Sequence, residues 1–334
     1  MRRAPLVCAL ALGLGLVAVP FIFGMFDRAP RGAVMLDEFR PFMTDETITA
    51  FERYLAEMDA AETETQGDLR AFLAESGVVP DAGFDQEFPL VATFSEEWPA
   101  IDEDMSGLLD DIGDNVENYD AVDALPPFTL FPWFFVAPGL LIAGVAGFAL
   151  VRRSTGSAAR WALVGLGVGL IAAPAVFQMF TRAPKGGEMI DRFRPIMERD
   201  RVQRIQGYFV TIGATEGTLR AQALPLAQEQ GGLREPDLDE RFPAIRELNR
   251  DWQTIVADDT GFAAMTGAMS DNVDNYEAVD ALPPFSLFPW FFVIPGVLVA
   301  GLALISRRPE PALATVPVTT VRTLEPSVPQ RSTR

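Results

Sequence analysis

The sequence predicts an all-α integral membrane protein in which one unit occurs twice. Residues 114–144 read DNVENYDAVDALPPFTLFPWFFVAPGLLIAG, and residues 271–301 read DNVDNYEAVDALPPFSLFPWFFVIPGVLVAG. The chain also has four uncharged apolar blocks, each long enough to cross a bilayer as a helix. We therefore expect four transmembrane helices with two small helical extracytoplasmic domains, produced by an internal tandem duplication.

The composition agrees with a chain that is divided into apolar and acidic parts. Hydrophobic residues make up 49% of the 334 residues, yet 46 acidic and 27 basic side chains give a formal net charge of −19. A soluble domain seldom combines these two extremes, so the apolar residues must be concentrated in blocks. Roughly 20 residues, at a rise of about 1.5 Å each, cross a hydrocarbon core of about 30 Å.

The apolar blocks divide the chain into eight predicted segments. They are a first transmembrane helix at residues 1–26, an acidic helical domain at 27–123, a second transmembrane helix at 124–151, a cytoplasmic loop at 152–160, a third transmembrane helix at 161–180, a second helical domain at 181–280, a fourth transmembrane helix at 281–306, and a disordered cytoplasmic tail at 307–334. The tail is rich in Pro, Thr, Val and Ser, a composition typical of disorder.

Basic residues beside the ends of the apolar blocks determine the predicted orientation. Such residues mark the cytoplasmic side of a membrane, and here they are Arg2, Arg3, Arg152, Arg153, Arg160, Arg307 and Arg308. Both termini are therefore expected in the cytoplasm and both helical domains outside, with a pseudo-twofold axis along the membrane normal. The preference for arginine over lysine, the alanine-rich blocks and the single cysteine predict a bacterial plasma membrane.

Both acidic segments are predicted to be small all-α bundles. Thr44 is a predicted N-cap, and the apolar residues that follow it recur every three or four positions, as on one face of an amphipathic helix. These residues are Ile48, Phe51, Leu55 and Met58 in the first segment, and Val202, Ile205, Phe209 and Ile212 in the second. Further helices are predicted at residues 66–75, 89–109 and 115–123.

The residue types that most catalytic sites need are missing. The chain has no histidine, which excludes a Ser-His-Asp triad and a His-bound zinc ion. The single cysteine excludes intrachain disulfides and cysteine-ligated metal clusters. A phosphate-binding loop and a nucleophile elbow are also absent from the sequence. We therefore expect a protein that is not an enzyme and has no cofactor.

The two acidic segments differ in charge. Residues 27–123 have 26 acidic and 5 basic side chains, a net charge of −21, whereas residues 181–280 have 18 and 12, a net charge of −6. A field this negative repels nucleic acid and attracts cations or basic partners. The extra basic residues of the second segment could face the first segment, and the candidates are Arg192, Arg194, Arg199, Arg201 and Arg204.

The acidic part of the repeated block is a candidate divalent-cation site. Carboxylates are preferred ligands of hard cations, and the candidate ligands are Asp114, Glu117, Asp120, Asp271, Asp274 and Glu277. The block is not an EF-hand, because Tyr119 occupies the position where that loop requires glycine. A solvated helical turn that caps the following span is the simpler interpretation.

The aromatic part of the repeated block is predicted to anchor the spans at the membrane interface, where such side chains are enriched. The residues concerned are Phe128, Phe131, Trp133, Phe134, Phe285, Phe288, Trp290 and Phe291. The alternative is that this part forms a binding surface for lipid or for a helix of a partner.

We expect the protein to act by binding, as a scaffold, assembly factor or accessory subunit. Its expected partners are the lipid bilayer and a membrane or extracytoplasmic protein. One alternative is a sensor input that pairs with a separate transducer, because the order of span, small helical domain and span is similar in topology to bacterial chemoreceptor inputs. Another is a transporter for an apolar substrate, since the spans contain no ionisable group of the kind that marks an ion pathway.

Overall fold

The structure, a computed structural model, describes residues 3–152 and 157–306, and all regular secondary structure in these ranges is helical. The predicted tail at 307–334 and residues 153–156 of the predicted loop at 152–160 lie outside the described residues, whereas residue 152 and residues 157–160 are helical. The first half of the chain contains α1 (Arg3–Ile22), α2 (Met25–Phe39), α3 (Asp45–Glu64), α4 (Arg70–Glu75), α5 (Phe84–Glu87), α6 (Pro89–Gly113), α7 (Val116–Asp123) and α8 (Phe131–Arg152).

The second half repeats this order of helices. It contains α9 (Ser157–Val176), α10 (Met179–Phe193), α11 (Arg199–Thr218), α12 (Leu224–Glu229), α13 (Glu235–Arg241), α14 (Pro243–Ala257), α15 (Phe262–Asp280) and α16 (Phe288–Ile305). Equivalent positions lie 154 residues apart as far as Trp98 and Trp252, and 157 residues apart from Asp114 and Asp271 onward. The all-α prediction is confirmed for the described residues.

Four helices, α1, α8, α9 and α16, are long and apolar enough to cross a membrane, and together they form what we call the apolar layer. Only 22–33% of their most apolar windows is buried inside the protein. Large apolar side chains such as Phe21, Leu140 and Val168 are exposed. An apolar surface of this extent needs hydrocarbon around it rather than water.

The apolar layer is built from two tightly packed helix pairs, α1 with α8 and α9 with α16. Each pair has two glycines where its helices cross. A Cβ atom added at Gly13 would lie 2.7 Å from the Gly139 carbonyl oxygen, and one added at Gly167 would lie 2.7 Å from the Gly296 carbonyl oxygen. The glycines therefore allow the two backbones of each pair to touch, as small residues do in membrane helix dimers.

The other helices form what we call the polar layer, which the chain enters through the same bend in both halves. Between α1 and α2, Gly24 has φ 61°, and between α9 and α10 the equivalent Gln178 has φ 53°. Glycine adopts this left-handed conformation without strain, whereas glutamine does so at a cost. The second half therefore keeps the same backbone conformation at this bend although glycine is replaced by glutamine.

The amphipathic helix predicted after Thr44 and its counterpart in the second segment are confirmed as α3 and α11. Thr44 caps α3, since its Oγ1 atom accepts a hydrogen bond from the Thr47 amide at 3.2 Å. The predicted helix at residues 66–75 is a continuation of α3 through a π-helical turn, Thr65–Leu69, into α4. The second half has the equivalent turn, Leu219–Ala223, between α11 and α12. Of the eight apolar residues predicted on these faces, all are buried except Phe209, which is partly buried.

The two acidic segments share one core, which differs from the expected bundle for each segment. Helix α2 packs along α15 and α10 along α7, while α3 contacts α14 and α11 contacts α6. The Phe51 and Phe262 rings stack across this interface with centroids 4.5 Å apart. The apolar face of α3 is wide enough to contact α6 of its own segment and α14 of the other, so neither segment covers its apolar faces alone.

A buried carboxylate also joins the two halves. Glu64, at the end of α3, accepts hydrogen bonds from the backbone amides of Ala244 at 3.3 Å and Ile245 at 2.8 Å. These amides are at the N-terminus of α14, where a helix has free N–H groups and a positive dipole end. Burial raises the pKa of Glu64, and the two amide hydrogen bonds act in the opposite direction.

Candidate functional site

The repeated sequence block forms the junction between the polar and apolar layers. In the first half it begins just before α7, and in the second half it begins within α15; each copy then passes through a short 3-10 turn into α8 or α16. Within this junction, α10 packs against α7 and α2 packs against α15, so helices from both halves meet here. The tyrosine and the two asparagines of each copy make the same hydrogen bonds in both copies.

Two arginines cap helices of the opposite half at the junction. The Arg28 guanidinium donates to the Ala281 carbonyl oxygen at 2.7 Å, and the equivalent Arg182 donates to the Ala124 carbonyl oxygen at 2.6 Å. Ala281 and Ala124 follow the last residues of α15 and α7. A cation at this end satisfies a free carbonyl and interacts favourably with the helix dipole.

One buried tyrosine in each half joins two helices of that half at the junction. Tyr119 donates its hydroxyl proton to the Leu36 carbonyl at 2.7 Å, and Tyr276 donates to the Ile190 carbonyl at 2.6 Å. Burial, the largest cause, and a nearby aspartate raise the pKa of each tyrosine to about 12. Both hydroxyl groups therefore stay protonated across the physiological pH range and act as structural donors.

The repeated asparagines are also structural. Asn115 and Asn272 are fully buried, and each side-chain amide donates to the backbone carbonyl four residues earlier at 2.8 Å. Asn118 and Asn275 donate in turn to these asparagines at 3.2 and 2.9 Å. Asn272 also donates to the Glu38 carboxylate of the other half at 2.6 Å. Internal hydrogen bonds therefore occupy these side chains.

Three of the six candidate cation ligands form ion pairs with basic residues. Asp114 pairs with Arg192 at 2.8 Å, Asp274 pairs with Arg199 at 2.8 Å, and Glu117 pairs with Lys185. The hydrogen bond from Lys185 lowers the pKa of Glu117. Arg192 and Lys185 belong to α10, so the pairs of Asp114 and Glu117 join the two halves.

The other three candidate ligands, Asp120, Asp271 and Glu277, have no ion pair within the described residues. Residues 3–152 and 157–306 contain no group of three or more Asp, Glu, Cys or His side chains with the geometry to hold a metal ion. The arrangement therefore brings three of the six candidate acids to basic side chains and does not gather the six around a common centre.

Two of the five arginines proposed to face the first segment do so. Arg192 pairs with Asp114 at 2.8 Å, and Arg201 pairs with Asp104 at 2.7 Å. Arg194 and Arg199 pair instead with aspartates of their own segment, at 2.7 and 2.8 Å. Arg204 has no ion pair in the part of the chain that the structure describes.

Four of the eight aromatic residues predicted at the membrane interface are buried between the two halves. Phe128 contacts its own equivalent, Phe285, with ring centroids 6.2 Å apart, and Phe131 contacts Phe288 at 5.8 Å. Equivalent residues meet in this way at a twofold interface. These four rings therefore form a core between the halves and do not face lipid.

The remaining four aromatic residues lie further out. Trp133 and Trp290 are 54% and 49% exposed, which suits side chains at a membrane interface. Phe134 and Phe291 are partly buried against the core. Sequence composition alone does not separate the two groups, because a ring that faces lipid and a ring that faces protein are equally apolar.

A cavity lined by methionines lies where the halves meet in the polar layer. Its volume is about 30 Å³, and its lining is apolar. The lining includes the equivalent pairs Met35 and Met189, Met43 and Met197, and Phe39 and Phe193, together with Met265 and Met269. Sequence reasoning missed this cavity, although methionine at the same positions of both copies was a visible signal.

An acidic stripe on α6 was also missed. We use this name for five exposed residues on one side of the helix: Glu96, Glu97, Glu103, Asp110 and Asp111. The stripe is roughly 22 Å long, at about 1.5 Å per residue. None of its members has an ion pair within residues 3–152 and 157–306. The spacing of seven residues between Glu96, Glu103 and Asp110 was the signal in the sequence.

Comparison with known proteins provides no functional assignment for this arrangement. No protein-family model matches the chain. No curated protein matches it either. The arguments for function therefore depend on the geometry of the junction, the cavity and the acidic stripe.

Proposed function

We propose that this chain is a multi-pass membrane protein that acts by binding, as a scaffold, assembly factor or accessory subunit. In this proposal a tandem duplication produced two units, which anchor one shared helical body in the bacterial plasma membrane. The polar layer lies on the extracytoplasmic side, and both termini lie in the cytoplasm. The distribution of basic residues beside the apolar blocks supports this orientation.

The acidic stripe is the observation that carries the proposal. Its five carboxylates are exposed on a long helix whose opposite face is buried in the shared core, so their spacing is fixed. Other acids of the first segment, such as Asp104, Asp114 and Glu117, are paired with bases of the second segment. The five acids of the stripe are therefore available to bind another molecule. Their negative charge favours a basic protein surface as that partner.

The proposal is tested by crosslinking in intact membranes followed by purification of the protein with its partners. The test variant replaces the stripe by amides: Glu96→Gln, Glu97→Gln, Glu103→Gln, Asp110→Asn and Asp111→Asn. The candidate acids of the junction are left unchanged, because two of them, Asp114 and Glu117, pair with bases of the other half. We expect a specific partner with the wild type that is lost or strongly reduced with the variant.

The matched control removes the same number of exposed acids from the second segment. It carries Glu188→Gln, Glu229→Gln, Glu240→Gln, Glu247→Gln and Asp259→Asn, all of which are exposed. The control should retain the partner. If both variants lose it equally, general charge rather than the stripe controls binding, and if neither loses it, the stripe is not the docking surface.

The methionine-lined cavity favours a second candidate function, a sensor input. Methionine side chains adapt to different apolar ligands, and this cavity lies between equivalent residues of both halves. An apolar ligand there would change the packing of the halves and so the apolar helices attached to them. Xenon, an apolar atom smaller than benzene, is a suitable neutral probe for a cavity of this volume: a rise in thermal stability that Met35→Trp abolishes would support the sensor, and no rise would count against it.

A further inference from the structure

A groove runs between α8 and α9 within the apolar layer. Its volume is about 310 Å³. Helix α8 contributes Trp133, Ala137 and Pro138 to its walls, and α9 contributes Gly165, Gly169 and Ala173. None of the residues that line the groove is charged. The small residues Ala137, Gly165 and Ala173 leave the space of the groove open.

The equivalent positions on the other side of the protein carry larger side chains. Between α16 and α1, Ile294 occupies the position of Ala137, Ala11 that of Gly165, and Val19 that of Ala173. The two halves therefore differ at the three positions that make the groove wide. The sequence repeat thus provides a matched reference surface within the same molecule.

We propose that this groove binds one acyl chain of a bilayer phospholipid. The groove is continuous with the exposed apolar surface of the four apolar helices, which includes Leu140 and Val168. A groove in this position is bathed in hydrocarbon, and an empty groove would lose the dispersion contacts of its walls. One turn of a partner helix, about 10 Å across and about 5.4 Å long, occupies roughly 400 Å³ and so exceeds the volume of the groove.

Contacts with the walls supply the preference of the acyl chain for the groove. A chain in the bilayer is already in hydrocarbon, so the groove gains no hydrophobic driving force and depends on close packing. We therefore expect only a modest preference, with the groove occupied roughly threefold more than an ordinary lipid position. A tenfold preference corresponds to 1.4 kcal/mol, so a threefold preference corresponds to about half of that free energy.

The test uses a phospholipid with a photoreactive diazirine in its acyl chain. The protein is reconstituted into vesicles of phosphatidylethanolamine and phosphatidylglycerol that contain this lipid, illuminated, digested and mapped by mass spectrometry. We expect labels on the α8 and α9 residues of the groove to exceed those on the equivalent α16 and α1 residues about threefold, a preference that reflects packing alone. Equal labelling of the two sides would overturn the proposal.

Two variants exchange the three differing residues between the α8–α9 groove and the equivalent α16–α1 surface. The filling variant, Ala137→Ile with Gly165→Ala and Ala173→Val, copies side chains that the other half already carries. A Cβ atom at Gly165 meets no atom within 4 Å, so this change fits the fold. Labelling of α8 and α9 should fall to the level of the reference side, and unchanged labelling would also overturn the proposal.

The opening variant makes the reverse changes, Ile294→Ala, Ala11→Gly and Val19→Ala. It should raise labelling of α16 and α1 towards the level of the natural groove, whereas unchanged labelling there would show that these three positions do not determine binding. This readout is independent of any protein partner. The lipid site and the partner-binding function can therefore fail separately.

Discussion

The Arg28 guanidinium donates a hydrogen bond of 2.7 Å to the Ala281 carbonyl oxygen, across a sequence separation of 253 residues. Arg182 makes the equivalent bond to Ala124 at 2.6 Å. Each half therefore supplies the cap for a helix of the other half, next to the apolar layer. This reciprocal contact explains why the alanine and arginine positions match in both copies of the sequence.

Removing one of these caps should weaken the whole fold. Arg28→Ala leaves the Ala281 carbonyl without its charged donor, and hydrogen bonds to charged groups contribute roughly 1.5–3 kcal/mol. Because the Arg28 side chain is partly exposed, we expect a loss of about 1–2 kcal/mol in the free energy of unfolding. Denaturation of the detergent-solubilised protein, followed by circular dichroism, measures this change.

Arg31→Ala is the control for this experiment. Arg31 lies on the same helix and pairs with the exposed Asp27 at 3.3 Å, a surface pair of the kind that contributes about 0.2–1 kcal/mol. If the two substitutions destabilise the protein equally, loss of positive charge is the cause, and the cap has no special role.

The glycine contacts of the apolar layer should tolerate no additional methyl group. In Gly139→Ala, the new Cβ atom would lie 2.7 Å from the Gly13 carbonyl oxygen and 3.0 Å from the Val17 amide nitrogen. Both neighbours are backbone atoms, so α1 and α8 must separate. We expect a cost of about 1–3 kcal/mol, the usual range for overpacking, measured as unfolding in mixed micelles of neutral and anionic detergent.

Gly144→Ala in the same helix tests whether this cost comes from the contact. A Cβ atom at Gly144 meets no atom within 4 Å. The substitution should be neutral or slightly stabilising, because alanine favours a helix over glycine by about 1 kcal/mol. A similar loss in both variants would mean that the close approach of Gly13 and Gly139 does not hold α1 and α8 together.

The sequence predicted the four apolar helices and α3, α4, α6, α7 and α11 because the signals for them are local, whereas it did not predict α2 and α10. The apolar period after Thr44, the Thr44 cap and the length of the uncharged blocks each depend on a few neighbouring residues. The pairing of helices is not local. Periodicity identifies the apolar face of α3, but only the structure shows that this face packs against both α6 of its own segment and α14 of the other segment.

The site was harder to predict than the fold because its residues have ordinary side chains with more than one use. Asp114 could ligate a cation or pair with an arginine, and only the position of Arg192 on α10 decides between these uses. A change in offset between the copies, from 154 to 157 residues, showed an insertion. The change in offset did not show how the insertion changes the helices: α6 is continuous in the first half, whereas in the second half a loop before Phe262 separates α14 from α15.

The two buried tyrosines should make the protein sensitive to alkaline pH. Their pKa in the folded protein is about 12, above the ordinary value of 10.0, so folding favours the protonated form. Their contribution to stability is complete below pH 10 and is lost as the pH rises from 10 to 12. Each tyrosine should account for roughly 2–3 kcal/mol of this loss, measured as unfolding at a series of pH values.

Tyr119→Phe with Tyr276→Phe should remove this part of the pH dependence. Other ionisable groups remain in the variant, so the difference between the wild type and the variant isolates the two hydroxyls. Near pH 7 the variant should be less stable by about 1 kcal/mol for each carbonyl that loses its donor. Parallel stability curves between pH 10 and 12 would contradict the assignment of the alkaline loss to these residues.

The shared core makes a strict prediction about membrane topology, because both acidic segments must lie on the same side. In a Cys8→Ser background, single cysteines are placed at Ala82 in the first segment, at Thr260 in the second, and at Ser157 beside the loop, all exposed positions. Arginines next to Ser157 should keep it in the cytoplasm. A membrane-impermeant maleimide should therefore label Ala82→Cys and Thr260→Cys in intact cells, and Ser157→Cys only after permeabilisation. Labelling of Ser157→Cys alone would reverse the orientation but keep the shared core, whereas labelling of Ala82→Cys and Thr260→Cys from opposite sides would exclude that core.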